Sequence, residues 1–194
     1  MRYRTIVADP PLEYEPYPSM PGAAGTIRES IHKPMPYAQM SLSKIAAIPI
    51  PDLAADDACL WLWTTNRYLP DAFTLIAGWG FAYRQTVVWN KTGARSPFPA
   101  AVAPNHAEYL LYARRGAPTL DTRWRSNVVV APKQYRHSRK PAVFLDLIEQ
   151  VSPAPRLELF ARTQRLGWDT WGNEALCHVN LDDAQRSSTP EARS

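Results

Sequence analysis

Apolar residues along this chain fall in short runs, and each run stops at a proline, a glycine or a polar cluster. Thr5-Ile6-Val7-Ala8 is β-branched and brief and runs straight into Asp9-Pro10-Pro11, so it predicts a buried strand that ends in a turn, with Asp9 at the strand's carboxyl end. Ala58-Cys59-Leu60-Trp61-Leu62-Trp63, Phe81 to Trp89, His106 to Ala113 and Arg156 to Ala161 predict further strands. Helices are expected from the Ser41 cap through Ile48, from Pro70 to Ala77, and from Pro141, which suits a first helical turn. The last of these carries Val143, Phe144, Leu147, Ile148 and Val151 at helical spacing and stops at Ser152-Pro153. Strand and helix alternate, which points to an α/β fold built on one sheet.

Two stretches interrupt the alternation. Residues 12–36 are proline-rich and show little periodicity, so they predict a long irregular loop of the kind that often serves as a lid. Lys91 to Pro104 predicts a second loop. After Glu174 the sequence turns polar and poor in aromatics, which predicts a single domain over residues 1–177 and a disordered tail over 178–194. A chain of 194 residues, 45% hydrophobic, suffices for one compact core and leaves no room for a second full domain. No internal repeat is visible. No run of about twenty apolar residues exists, and Met1-Arg2-Tyr3-Arg4 does not open a signal peptide. Cys59 and Cys177 lie far apart and suggest neither a zinc site nor a disulfide framework. The expectation is a soluble cytoplasmic protein with no membrane contact.

Charge adds a direction. The net charge is +4, and between Arg114 and Lys140 eight cations face a single acid, Asp121. Such a cluster suits a polyanion. Arg123, Arg125, Lys133 and Arg136 are the candidates to contact nucleic-acid phosphates. Trp61, Trp63 and Trp89 sit in apolar runs and read as core in preference to base-stacking surfaces. His106 and His137 lack metal-ligand spacing and read as loop or site-rim residues.

Ligands of open α/β sheets bind at the carboxyl ends of strands, where Asp9-Pro10-Pro11 falls. Asp-Pro-Pro can be plain punctuation, but it also fits one chemistry. The exocyclic amine of adenine is a poor nucleophile, because its lone pair is delocalised into the ring. A carboxylate that accepts one N–H, with a prolyl carbonyl that accepts the other, draws the nitrogen toward tetrahedral geometry and aims it at an electrophilic methyl group. Asp9 and the Pro10 carbonyl match that pair. Glu158, a carboxylate inside an apolar strand, needs a partner and so favours a site over a core role.

Several segments in order strengthen this reading: Val7-Ala8-Asp9-Pro10-Pro11, Leu60-Trp61-Leu62-Trp63-Thr64, Val88-Trp89-Asn90-Lys91, Asn105-His106-Ala107-Glu108, His137-Ser138-Arg139-Lys140-Pro141, Leu157-Glu158-Leu159-Phe160-Ala161-Arg162 and Gly167 to Glu174. Together they resemble the N(6)-adenine methyltransferase family typified by the catalytic subunit of the eukaryotic mRNA methyltransferase, with its compact prokaryotic and phage members. The resemblance runs from about Tyr3 to Glu174. It implies a Rossmann-like S-adenosylmethionine-dependent methyltransferase fold in permuted order, with the catalytic motif Asp9, Pro10, Pro11 and Leu12 ahead of the cofactor-binding segment. It assigns cofactor contacts to Asp9, Lys140, Glu158, Phe160, Arg162, Asn173 and Glu174, and the sulfonium chemistry it brings requires no metal. Gln164 stands where the eukaryotic catalytic subunit has a histidine. Leu12 departs from the family's aromatic, usually Trp, and leaves Tyr14 or Tyr17 as candidates to stack on the base. The implied substrate is adenine in DNA, as for the compact members. RNA is the alternative, as is a catalytically silent nucleic-acid-binding subunit, and a homodimer or a partner subunit is open.

Overall fold

The computed structural model describes residues 2–13, 39–92, 105–133, 139–173 and 175–181. Tyr14, Tyr17, Arg136, His137, Glu174 and most of the expected tail and long loop lie outside that set. The first strand, β1 (Tyr3–Ala8), leads through the loop to α1 (Leu42–Ala46) and α2 (Ile50–Leu53). Ser41 caps α1 through its side-chain oxygen, which accepts from the Lys44 amide. The helix expected through Ile48 stops at Ala46, because the ring of Pro49 disfavours helical backbone at Ile48, and a further short helix, α2, lies beyond the expected end. Next come β2 (Ala54–Thr64), α3 (Leu69–Gly78), β3 (Ala82–Thr92), β4 (Ala107–Arg115), β5 (Val128–Pro132), α4 (Val143–Val151), β6 (Arg156–Leu159) and β7 (Trp168–Trp171). Within the basic stretch, which carried no strand expectation, Val128-Val129-Val130 forms β5. The Trp168–Trp171 segment, expected only as part of a motif, forms β7.

The seven strands make one sheet in the order β5-β3-β4-β2-β1-β6-β7. Only β4 runs against its neighbours; β1 pairs parallel with β2 and β6, β6 with β7, and β3 with β5. The carboxyl ends of six strands and the amino end of β4 therefore share one sheet edge. Strand alternation divides the core in two. Ile6, Leu60, Leu62, Leu157 and Leu159 face Ile45, Ile50, Leu75, Ile76 and Trp79 of the α1–α3 region, while Val7, Trp61, Trp63, Trp89 and Leu110 face Phe144, Ile148 and Val151 of α4. Full burial of a side chain such as Phe144 or Ile148 contributes about 1.5–3 kcal/mol. This α/β layering is consistent with the Rossmann-like fold that the resemblance implies. The three tryptophans are core residues: Trp63 meets Phe144 edge-on at 4.8 Å and Trp89 at 6.0 Å, and Trp61 stacks on Trp124 at 5.1 Å.

Past β7 the chain stays attached as far as Leu181. The His178 amide donates to the Thr170 carbonyl at 2.8 Å, and Val179 and Leu181 pack on the core. The rest of the expected tail, 182–194, lies outside the described residues. Among those residues no helix is long and apolar enough to cross a membrane.

Two glycines near the sheet edge separate two causes of strain. A Cβ on Gly172 would sit 2.3 Å from the Ala161 carbonyl oxygen and 2.6 Å from its nitrogen, so the turn after β6 packs directly on Gly172. Gly167 meets nothing within 4 Å but has φ +81°. Gly172→Ala should therefore destabilise by overpacking, about 1–3 kcal/mol, and Gly167→Ala by conformation alone, about 1–2 kcal/mol. Thermal melts of the two variants check these losses, and a second change, Ala161→Gly, tests whether the crowding at Gly172 is with backbone or side chain. Removing the Ala161 methyl should rescue neither variant, because the clash at Gly172 is with backbone atoms.

Candidate active site

The chain leaves β1 at Asp9, and Pro10-Pro11 removes two backbone donors from the turn that follows. The Leu12 amide donates to the Pro10 carbonyl at 2.9 Å, and the Met40 amide donates to the Pro11 carbonyl at 2.8 Å. Leu12 also bridges Met40 as a lone parallel pair, and both side chains pack against the core on the α1–α3 side. The base of the long loop is thus closed where it leaves and re-enters the fold. The Tyr68 hydroxyl donates to the Glu13 carbonyl beside it.

Asp9 looks into a cavity of about 260 Å³. Its walls include Val7, Trp63 and Glu158 from the sheet, Lys140 and Phe144 from the start of α4, and Phe160, Arg162 and Arg165 from the β6–β7 loop. The Lys140 ammonium donates to both Asp9 oxygens, at 2.7 and 2.8 Å, and lies 3.3 Å from Glu108 Oε2. Glu108, the second residue of β4, takes the Lys91 ammonium on its other oxygen at 2.7 Å. Lys140 also lies 5.1 Å above the Trp63 ring, and Lys91 lies 5.4 Å from the Trp89 ring. Four charges of alternating sign run along the sheet edge from β1 to β3.

Electrostatics follow from that order. Burial works against the Lys140 charge, but the Asp9 and Glu108 carboxylates overcome it and hold the ammonium above its ordinary range. Burial pushes the Asp9 carboxyl up against the pull of Lys140. Glu108 is desolvated too, yet its two lysines bring its carboxyl below the ordinary value. Among the described residues no lysine bonds Glu158: burial, and then the Asp9 charge, push its carboxyl up to about 7 against the weaker pull of Arg165 and Arg139.

The β6–β7 loop is shaped by two devices. Phe160 follows β6 at φ +64°, a region that costs a non-glycine residue about 1–3 kcal/mol and is found where surrounding structure imposes it. Here the Ala161 amide donates to the Trp171 carbonyl at 3.0 Å, and the Phe160 ring meets Trp171 edge-on at 5.4 Å. Beyond it, Arg165 grips Glu149 of α4 through Nε and Nη2, both at 2.7 Å, and Asp146 at 2.6 Å, while Trp168 Nε1 donates to Glu149 at 2.6 Å. The loop is tied to the helix that forms the opposite wall.

The structure brings together Asp9, Lys140, Glu158, Phe160 and Arg162 of the expected set. Leu12 is not among the cavity's walls, and Asn173 is exposed one residue past Gly172. Arg123, Arg125 and Lys133 are exposed and do not line the cavity either. Arg123 and Arg125 flank Trp124, whose indole N–H donates to the Leu147 carbonyl at 2.9 Å. Glu108, Lys91 and Arg165 carried no role in the sequence. Their signal was the charge they place at strand ends and loops, legible only once β4 is known to run in reverse.

The MT-A70 family model matches residues 3–174. The type II methyltransferase M.MunI of Mycoplasma sp is 29% identical over 186 residues, which cover 89% of this chain and 78% of that protein. The N(6)-adenine-specific methyltransferase METTL4 of Mus musculus is 27% identical over 93% of this chain and 39% of its own length. For the N(6)-adenosine-methyltransferase catalytic subunit METTL3 of Homo sapiens the identity is 25%, over 89% of this chain and 28% of that protein. The chain thus spans well under half the length of these animal relatives.

Glu158 yields a pH-dependent stability. Its folded carboxyl resists ionisation, so the penalty is absent below the ordinary 4.5, grows as pH rises through the window to about 7, and is full above it. That rise amounts to at most about 3 kcal/mol, less whatever water screens. In the ligand-free protein Glu158→Gln should raise Tm by several degrees at pH 8 and leave it unchanged at pH 4.5. Calorimetry that finds the same difference at both pH values would rule out a strained carboxylate.

Proposed function

The chain belongs to the MT-A70 family, and from that membership we propose that it transfers a methyl group from S-adenosylmethionine to the N(6) amine of adenine in DNA. The observation that carries the reading is Asp9, a carboxylate at the carboxyl end of β1, in the wall of the cavity, with a lysine holding both its oxygens. DNA is favoured over RNA by the likeness to the type II methyltransferase M.MunI, 29% identical over 89% of this chain, against 25% for METTL3 over the same share.

The cavity's donor set suits the cofactor. Asp9 and Glu158 present carboxylates to a sulfonium, an ammonium and ribose hydroxyls; Arg162 and Lys140 present cations to a carboxylate; Phe160 offers a ring face. When bound, the cofactor supplies an electrophilic methyl group and departs as a neutral thioether. The chain's own work is to prepare the amine. An Asp9 oxygen accepts one N–H, and the Pro10 carbonyl accepts the other on the lone pair that the Leu12 amide leaves free. Both acceptors are fixed before the base arrives, Asp9 by Lys140 and the carbonyl by the two prolines. The adenine must be unstacked to enter, which suits a flipped or single-stranded base. Arg123, Arg125, Lys133 and Arg136 are left to hold phosphates.

Asp9→Asn nearly keeps shape and removes the charge. It should lower turnover at saturating cofactor by at least about a hundredfold. Turnover above roughly a tenth of wild type would remove Asp9 from the chemistry. Mass spectrometry of nucleosides from DNA and RNA of expressing cells decides the polymer, with N(6)-methyldeoxyadenosine expected.

The phosphate contacts have their own test. With Arg123, Arg125, Lys133 and Arg136 all changed to Ala, the slope of log affinity against log salt should fall by about 0.7–0.9 per residue, with cofactor affinity unaltered. An unchanged slope would return these cations to plain solvation.

A further inference from the structure

Asp9 has a difficulty as an acceptor: both of its oxygens are held by the ammonium of Lys140, at 2.7 and 2.8 Å. For an incoming amine to find an acceptor there, the ammonium must loosen from one oxygen without being left uncompensated in a partly buried site. Glu108 stands where it can take that charge. Its Oε2 is already 3.3 Å from Lys140 Nζ, and its other oxygen is pinned at 2.7 Å by Lys91, so the carboxylate cannot turn away. The Trp63 ring, 5.1 Å from the ammonium, closes a further side and keeps the lysine between the two acids.

We propose that Glu108 is a positioning residue that shares the Lys140 ammonium with Asp9 and receives it as the substrate amine docks, which frees an Asp9 oxygen to accept the amine N–H. The proposal rests on the reading of Asp9 as that acceptor. No covalent bond changes in the step. One ammonium moves between two carboxylates that it already touches, and the total charge of Asp9, Lys140, Glu108 and Lys91 stays at zero throughout. Without Glu108, Lys140 would have Asp9 as its one acid partner in this row and would hold it more tightly, leaving a carboxylate that is charged but occupied.

That yields a paired signature. The charged groups acting on Asp9 are Lys140 ahead of α4, Glu108 on β4, Glu158 on β6 and Arg162 beyond β6. Glu108→Gln removes one negative neighbour and leaves the lysine to Asp9, so both effects lower the pH at which Asp9 protonates, by about one unit or more. The same variant should lose roughly ten- to a hundredfold in kcat on the alkaline plateau, where Asp9 is fully charged in both proteins. A neighbour that acted only through its field would move the acid limb and spare the plateau; a residue needed only for folding would lower the plateau and leave the limb in place.

The first reading is taken on the cofactor-free protein, by carbon-13 NMR of labelled aspartate carboxyls, with the Asp9 signal assigned by its loss in Asp9→Asn. The second is kcat against pH with S-adenosylmethionine and adenine-containing DNA and RNA oligonucleotides. Glu108→Asp, which keeps the charge at shorter reach, should leave the Asp9 titration near wild type and recover part of kcat. A Glu108→Gln protein with either reading unchanged would overturn the proposal, as would Glu108→Asp titrating like Glu108→Gln. An active Asp9→Asn protein would instead overturn the reading of Asp9 itself, so the two failures are distinct.

Discussion

An ammonium shared between two carboxylates organises this sheet edge. Asp9 and Glu108 come from β1 and β4, strands separated in the sheet by β2, and two like charges drawn into a partly buried site would repel and would each be costly to desolvate. Lys140 reconciles them, and the Trp63 face beneath it favours a cation at that point. Because Lys140 directly precedes the buried Pro141 and α4, the same contact seats the amino end of that helix over the sheet. Helix position, acid ionisation and the cavity between them are therefore linked through one side chain, where removal of a partner would cost more than the pair contributes.

Reversal of β4 is what makes the arrangement possible. Had β4 run parallel, its amino end, with Glu108, would lie at the far edge of the sheet. Antiparallel pairing puts Trp89 opposite Glu108 and Asn90 opposite Ala107, so the end of β3 delivers Lys91 beside the acid. The opposite wall is set by the Arg165 grip on Glu149 and Asp146, which spans from the β6–β7 loop to α4. The cavity is thus bounded on one side by a charged row across strand ends and on the other by a clamp to a helix.

Much of this was legible from residues because the physics was local. The unbroken apolar run Ala58 to Trp63, helical spacing in Phe144, Ile148 and Val151, and the strand stop at Asp9-Pro10 each follow from a few neighbours. β5 and β7 were missed because each is a run of four or five residues that propensity alone does not separate from a loop, and each gains its pairing from another strand, β3 and β6 respectively. α1 was drawn two residues too long because the restriction that Pro49 places on the residue before it was underweighted, and α2 was not expected. Glu108 and Lys91 could not have been paired without knowing the direction of β4, a tertiary fact that no window along the chain contains.

The same geometry bears on Leu12, where the family carries an aromatic. An aromatic at that position would matter most if it faced the cavity, but the Leu12 side chain packs on the α1–α3 side of the sheet, while the cavity opens among Val7, Trp63 and Phe144 on the α4 side. Its backbone does two jobs there: its amide donates to the Pro10 carbonyl, and its bridge to Met40 closes the base of the long loop. Both depend on main-chain atoms, which leucine supplies as well as tryptophan does. The main-chain contacts around Asp9-Pro10 therefore do not depend on which side chain stands at position 12.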